Sequence, residues 1–320
     1  MKLLNSINSK YFVAIDVETV RIEEHYRDLS EEWKSAWSYK NKHEGVVPSA
    51  QQLSELWTNT AALYAEFSKV CAVSLSFLDN TETKLLVKEF YGDDEVVILK
   101  GLAGFLDRIW SKDQGYRLIG HAAKYFDYPV LCKRYVINDM ELPMILDTGH
   151  LKPWESKNLC TNQDIWKFGG TGPGSSLQAL CTALGIPMSK VDLAVDEVGA
   201  AYFNGEYSRI GRYCSLDTIA TFNIPRKIKR EKVFAFDEVV YLDEGQEEVK
   251  IPILHKLYAS QQLSETIKDE LREIFKKKKL LKRDKEAVKT ILLSHYLSKK
   301  DKVADKAAKQ LEIDTFIESL

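Results

Sequence analysis

Two spacings of apolar residues organise the first 230 positions. Short continuous runs mark buried strands, and apolar residues recurring every three or four positions mark helices packed on one face. Residues 11–15 (YFVAI) are such a run and predict a buried strand ending at Asp16. Positions of about 20–50 are polar and aromatic-rich, with a helical stretch in LSEEWKSAW, and read as an insertion after that strand. Helical periodicity follows over 52–67, then a buried strand over 70–77 (VCAVSLSF) and an alternating strand over 84–90 that pairs with it as a hairpin. Residues 93–110 form an amphipathic helix whose apolar face is Val96, Val97, Leu99, Leu102, Phe105, Leu106 and Ile109.

A strand at 117–119 leads through a loop to a helix opening at Asp127, with Pro129 in its first turn, where proline is tolerated. Residues 144–147 read as a further strand, and the Gly-rich stretch FGGTGPGSS as a loop feeding a helix over 177–184 that Gly185 and Pro187 stop. That loop lacks the Lys-Ser/Thr ending of a phosphate loop. A helix over 206–223 is closed by Pro225, 233–249 read as an acidic hairpin, and 253–320 are helical in pattern. The order of strands and helices predicts an α/β domain over 1–230 built on a mixed β-sheet flanked by helices. A mainly helical, basic C-terminal extension over 231–320 follows.

Composition changes this picture in two places. With 45% hydrophobic and 29% charged residues the chain is an ordinary globular one, with no apolar run of about 18 residues and no leader-like opening, which reads as cytoplasmic with no membrane partner. The net charge of -2 hides an asymmetry: residues 261–309 hold fifteen Lys/Arg against eight Asp/Glu. The stretch KKKKLLKRDK could hold a single nucleic-acid strand or be a solvated helix end. Five cysteines without CxxC or Cys/His spacing read as reduced thiols and imply no zinc.

The acidic residues carry the chemistry. Asp16 and Glu18 lie two apart on one strand and share a face, while Tyr213 and Asp217 lie four apart on a helix and also share one. Asp127 arrives from a third element, where a helix cap would account for it by itself. Carboxylates at the end of an apolar strand are expensive unless a cation sits opposite. Hard oxygen ligands of this kind suit magnesium or manganese.

In IDVET, GHAAKYFDYPVLCKR and YCSLD the chain resembles the 3'-5' exonucleases of the DEDD superfamily, in the subgroup whose third motif is Tyr-x-x-x-Asp. It is most similar to bacterial and phage predicted exonucleases related to the proofreading domain of family B DNA polymerases, over about residues 10–230. The resemblance implies a ribonuclease H-like fold and two divalent ions, Mg2+ or Mn2+. It also implies release of nucleotides from single-stranded 3' ends, DNA favoured over RNA, in replication, proofreading or repair. The sequence shows no polymerase segment, so a proofreading role would serve a separate DNA polymerase as partner. The resemblance implies that Asp16, Glu18 and Asp217 hold the catalytic metal, with Asp16 bridging to the second ion, that Asp127 acts through that second ion, and that Tyr213 orients the attacking water. An RNA exonuclease with the same chemistry and a nucleic-acid-binding polymerase-accessory module are the alternatives.

One position departs from the pattern: Ala122 stands where the second motif often has Asn. His121 is a substitute for that amide or an ordinary loop histidine. Thr19 is suited to contact the terminal nucleotide, and Phe126 to stack on its base or to pack internally. Lys124 and Arg134 are phosphate contacts or solvated surface.

Overall fold

The computed structural model describes residues 2–152, 155–188 and 193–242. A short helix α1 (Lys2–Asn5) precedes β1 (Phe12–Arg21). The first strand does not end at Asp16; it runs on through both acidic residues, because Val17 and Val20 are buried and keep it in the sheet. After β1 come α2 (Glu31–Lys40) and α3 (Ala50–Thr60), then β2 (Ser68–Leu78), β3 (Leu85–Tyr91), α4 (Glu95–Lys112), β4 (Arg117–Gly120) and α5 (Asp127–Ile137). The chain continues through β5 (Leu159–Cys160), a π-helical turn Thr161–Trp166, α6 (Leu177–Leu184), α7 (Val198–Phe203), α8 (Tyr207–Ile228) and β6 (Val239–Leu242).

Among the described residues six strands form one mixed sheet in the order β5-β4-β1-β2-β3-β6. β1, β2 and β3 are antiparallel neighbours, while β4 lies parallel to β1, β5 to β4, and β6 to β3. This is the α/β architecture expected of a ribonuclease H-like domain. Side-chain alternation along β1 divides the core. Val13, Ile15 and Val17 pack with Leu99, Leu102, Leu131 and Tyr135 of α4 and α5. Phe12 and Ala14 pack with Leu216, Ile219 and Phe222 of α8. Asp16 and Glu18 therefore share the face that α8 covers.

Several expectations need correction. Val97 is 59% exposed and does not belong to the buried face of α4. Residues 144–147 are a turn, because the N–H groups of Leu146 and Asp147 both return to the Pro143 carbonyl; the buried Ile145 and Leu146 made the stretch look like a strand. Pro225 does not close α8. The helix runs three residues past it, since Ile224 is buried and Arg226 Nε holds the Lys232 carbonyl at 2.7 Å beneath the last turn. The first half of the expected acidic hairpin is instead β6, parallel to β3. The rest of that hairpin, the basic stretch 276–285 and the expected helices of 253–320 lie outside the described residues.

The segment between β1 and β2 has its own aromatic core. Trp37 meets Trp57 edge-on at 5.2 Å and Phe67 at 4.9 Å, and both indole N–H groups are satisfied, Trp37 by the Leu53 carbonyl and Trp57 by that of Glu23. All five cysteines are free thiols, four of them buried. Among the described residues no helix is long and apolar enough to cross a membrane.

Gly120 ends β4 where no other residue fits: a Cβ there would stand 2.2 Å from that of Ala123 and 3.2 Å from the Ile15 carbonyl oxygen. Gly120→Ala is expected to destabilise the fold by about 1–3 kcal/mol, read as a lowered denaturation midpoint with unchanged slope.

Candidate active site

The sheet and α8 bring the separated acids together. Asp16 and Glu18 project from β1 toward α8, from which Tyr213 and Asp217 face back, and Asp127 enters as the first residue of α5. Asp127 is 4% exposed, and Asp16, Glu18, Asp217 and Tyr213 are half-buried. Asp127 is not a side-chain cap: Phe126 holds the cap position, and the Asp127 carboxylate faces its own N–H and that of Val17.

Burial and mutual repulsion raise every one of these carboxyls. Asp16 is pushed up to about 8, by burial first and by Asp127 second, against the opposing Cys214 thiol and Val17 N–H. Asp217 is pushed up to about 8 by burial and then by Asp16. Asp127 rises to about 7, burial outweighing the two N–H groups that favour its charge. Glu18 is raised well above the carboxylate range by burial, then by Asp16, Asp217 and Asp127. The Tyr213 phenol is raised by burial and then by Glu18, Asp217 and Asp16, so its proton stays on throughout the neutral range.

Such a set of converging carboxyl groups suits a hard divalent cation, which would offset both the cost of burying them and their mutual repulsion. The donors are arranged loosely: among the described residues no three His, Cys, Asp or Glu side chains form a ready-made metal cluster.

The chain belongs to the predicted 3'-5' exonucleases related to the exonuclease domain of PolB. The family model matches residues 61–232, just over half of the chain, and includes Asp127, Tyr213 and Asp217. Asp16 and Glu18 precede the matched segment, and it is the sheet that sets them against Asp127 and Asp217 within it. No curated protein matches the chain.

The remaining candidate residues of this exonuclease each have a partner inside the protein. The Thr19 hydroxyl donates to the Ala62 carbonyl at 2.7 Å. His121 Nε2–H donates to the Ser175 carbonyl at 2.8 Å, which leaves Nδ1 to accept from the Thr161 hydroxyl at 2.8 Å. Lys124 pairs with Asp164 at 2.9 Å, and Phe126 packs against the core beneath α5. Arg134, expected at a phosphate or in solvent, is 7% exposed. Its guanidinium forms a two-pronged pair with Glu95 and also holds the Ala65 carbonyl. Ala122 has a φ of 60°, in the left-handed region that Asn enters more readily than Ala.

Two thiols border the acidic strand without any signal in the sequence: Cys214 Sγ donates to the Asp16 carbonyl at 3.3 Å and Cys71 Sγ to that of Glu18 at 3.4 Å.

The raised carboxyl groups set a sign for stability. The unfolded chain releases their protons near pH 4, while the folded, chelated protein retains them until about pH 7 to 8, so the folded state binds more protons in between. Their contribution is full below pH 4 and is lost as pH rises through the folded values. In chelator, Asp16→Asn with Asp217→Asn is therefore expected to raise the melting temperature more at pH 8 than at pH 5.

Proposed function

We propose that the chain is a metal-dependent exonuclease that hydrolyses the terminal phosphodiester at single-stranded 3' ends, with DNA as the favoured substrate. The observation that carries the reading is the convergence of Asp16, Glu18, Asp127 and Asp217, each raised by burial and by at least one of the other three, together with membership of a 3'-5' exonuclease family.

Asp16, Glu18 and Asp217 would hold one divalent ion, and Asp16 with Asp127 a second. When bound, such a pair lowers the pKa of a water and stabilises charge on the entering and leaving oxygens of an in-line displacement. The chain's own contribution is placement. β1 and α8 fix the carboxylates before substrate arrives, so little reorganisation is needed in the transition state. Tyr213 keeps its proton and can donate a hydrogen bond that orients the attacking water. That water adds to phosphorus, the 3'-oxygen leaves with a proton, and a nucleoside 5'-monophosphate is released. A role in replication, proofreading or repair beside a separate DNA polymerase is consistent with this activity.

The test is incubation of 3'- and 5'-labelled single-stranded DNA and RNA with Mg2+, Mn2+ or chelator. A ladder shortening from the 3' end of DNA, abolished by chelator, is expected; shortening of RNA alone would reassign the substrate. Asp16→Ala or Asp217→Ala should lower turnover by at least about two to three orders of magnitude, and full activity in either would refute the site. Tyr213→Phe should lose only about tenfold, the scale of one hydrogen bond.

A further inference from the structure

Lys124 and Arg134, the cations expected at substrate phosphates, both meet carboxylates inside the protein, those of Asp164 and Glu95. Two cations at the end of the acidic strand do not. Arg21 is the last residue of β1, and Lys69 lies opposite Val20 on β2. Val20 shares the Glu18 face of β1 and packs with Val198, Ala201 and Tyr202 of α7, so α7 covers the acid-bearing side of the sheet just beyond Glu18. The Arg21 guanidinium lies on that helix: its Cζ is 5.1 Å from the centre of the Phe203 ring, and a Cβ on Gly199 would stand 2.7 Å from Nη1. Lys69 Nζ stands 4.8 Å over the ring of Tyr202, which meets Phe203 edge-on at 5.3 Å. The Tyr202 hydroxyl fixes that ring by donating to the Asp93 carbonyl at 3.2 Å.

Arg21 Nε donates to the Glu24 carbonyl at 2.8 Å. Among the described residues its Nη1 and Nη2 donate to no acceptor, and neither Arg21 nor Lys69 comes within ion-pair distance of a carboxylate. Burial lowers the Arg21 pKa, and Glu24 offsets only part of that. A guanidinium held half out of water with no paired anion is costly, and a ring face compensates only in part. The four site acids are not its counter-ions, since burial and one another raise them and Arg21 lowers none. Three strand residues, about 10 Å, separate the Arg21 Cα from that of Glu18.

We propose that Arg21 and Lys69 grip a backbone phosphate upstream of the scissile one, so that the enzyme engages a strand better than a dinucleotide. The inference rests on the exonuclease reading above. The planar Arg21 fork offers two donors to phosphate oxygens, and the Lys69 ammonium adds charge. Gly199 leaves the room in which the fork lies flat on α7.

The experiment measures fluorescence anisotropy of a labelled single-stranded DNA in chelator over a range of salt, with initial rates in Mn2+ alongside. Arg21→Ala and Lys69→Ala are each expected to weaken binding about tenfold and to flatten the salt slope by about 0.7. KM for the strand should rise with kcat little changed, while KM for a dinucleotide should stay as in wild type. Gly199→Ala adds a methyl that favours the helix and displaces only the far end of Arg21, so the melting temperature should hold while affinity falls. Cleavage by the wild type, with unchanged affinity and salt slope in both Arg21→Ala and Gly199→Ala, overturns the grip alone. A wild type that binds DNA through Arg21 yet shortens neither DNA nor RNA overturns the exonuclease reading and leaves the grip supported.

Discussion

The burial of four mutually repelling carboxyl groups between β1, α5 and α8 is the constraint around which the rest of the domain is arranged. Left to relax, a flexible site would let Asp16, Glu18, Asp127 and Asp217 drift into water, where each ionises freely. They are kept together because each sits on a different rigid support or on the same face of one strand. β1 is flanked by β2 and β4, with α8 packed across one face and α4 and α5 on the other. The folded state thus holds groups that resist ionisation, and that resistance is what makes a divalent cation the natural counterpart.

The supports beyond the acidic site are themselves polar and buried. Glu95 and Arg134, 8% and 7% exposed, join the start of α4 to α5, and Glu95 also accepts the Val70 N–H while Asn138 donates to it. A buried ion pair adds little net stability over apolar packing, yet breaking one partner is strongly destabilising. Here the pair also fixes direction, since Arg134 holds the Ala65 carbonyl and so connects the helix that carries Asp127 to the end of the segment between β1 and β2. His121 plays a comparable part on the other side, linking the end of β4 to Thr161 and Ser175 through its two ring nitrogens.

Much of this was legible in the sequence. The acidic pair on β1, the Tyr213 and Asp217 spacing, the β2–β3 hairpin and the helix at Asp127 all follow from periodicities that tertiary packing reinforces. Illegible features were those in which a local signal lost to a distant contact. Pro225 reads as a stop, but the buried Ile224 and the grip of Arg226 on Lys232 carry the helix onward. The 144–147 stretch has strand composition, but its N–H groups close on Pro143. β5 is only two residues long, too short to leave a periodicity. Thr19 and Arg134 look like surface ligands from spacing alone; their partners, Ala62 and Glu95, are 43 and 39 residues away.

Register is where these threads meet. Had β1 slipped by one residue, Val17 would face α8, and Asp16 and Glu18 would enter the apolar layer under α4 and α5. The pairing with β2 shifts between Glu18 and Thr19, where Ala72 and Val70 are the partners and Cys71 is the extra residue. That irregularity is held from both sides: Glu95 takes the Val70 N–H at 2.6 Å, and Cys71 Sγ reaches the Glu18 carbonyl. The Glu95–Arg134 pair thereby acts on the acidic site without touching it, by keeping the strand in the one alignment that turns both acids toward Asp217.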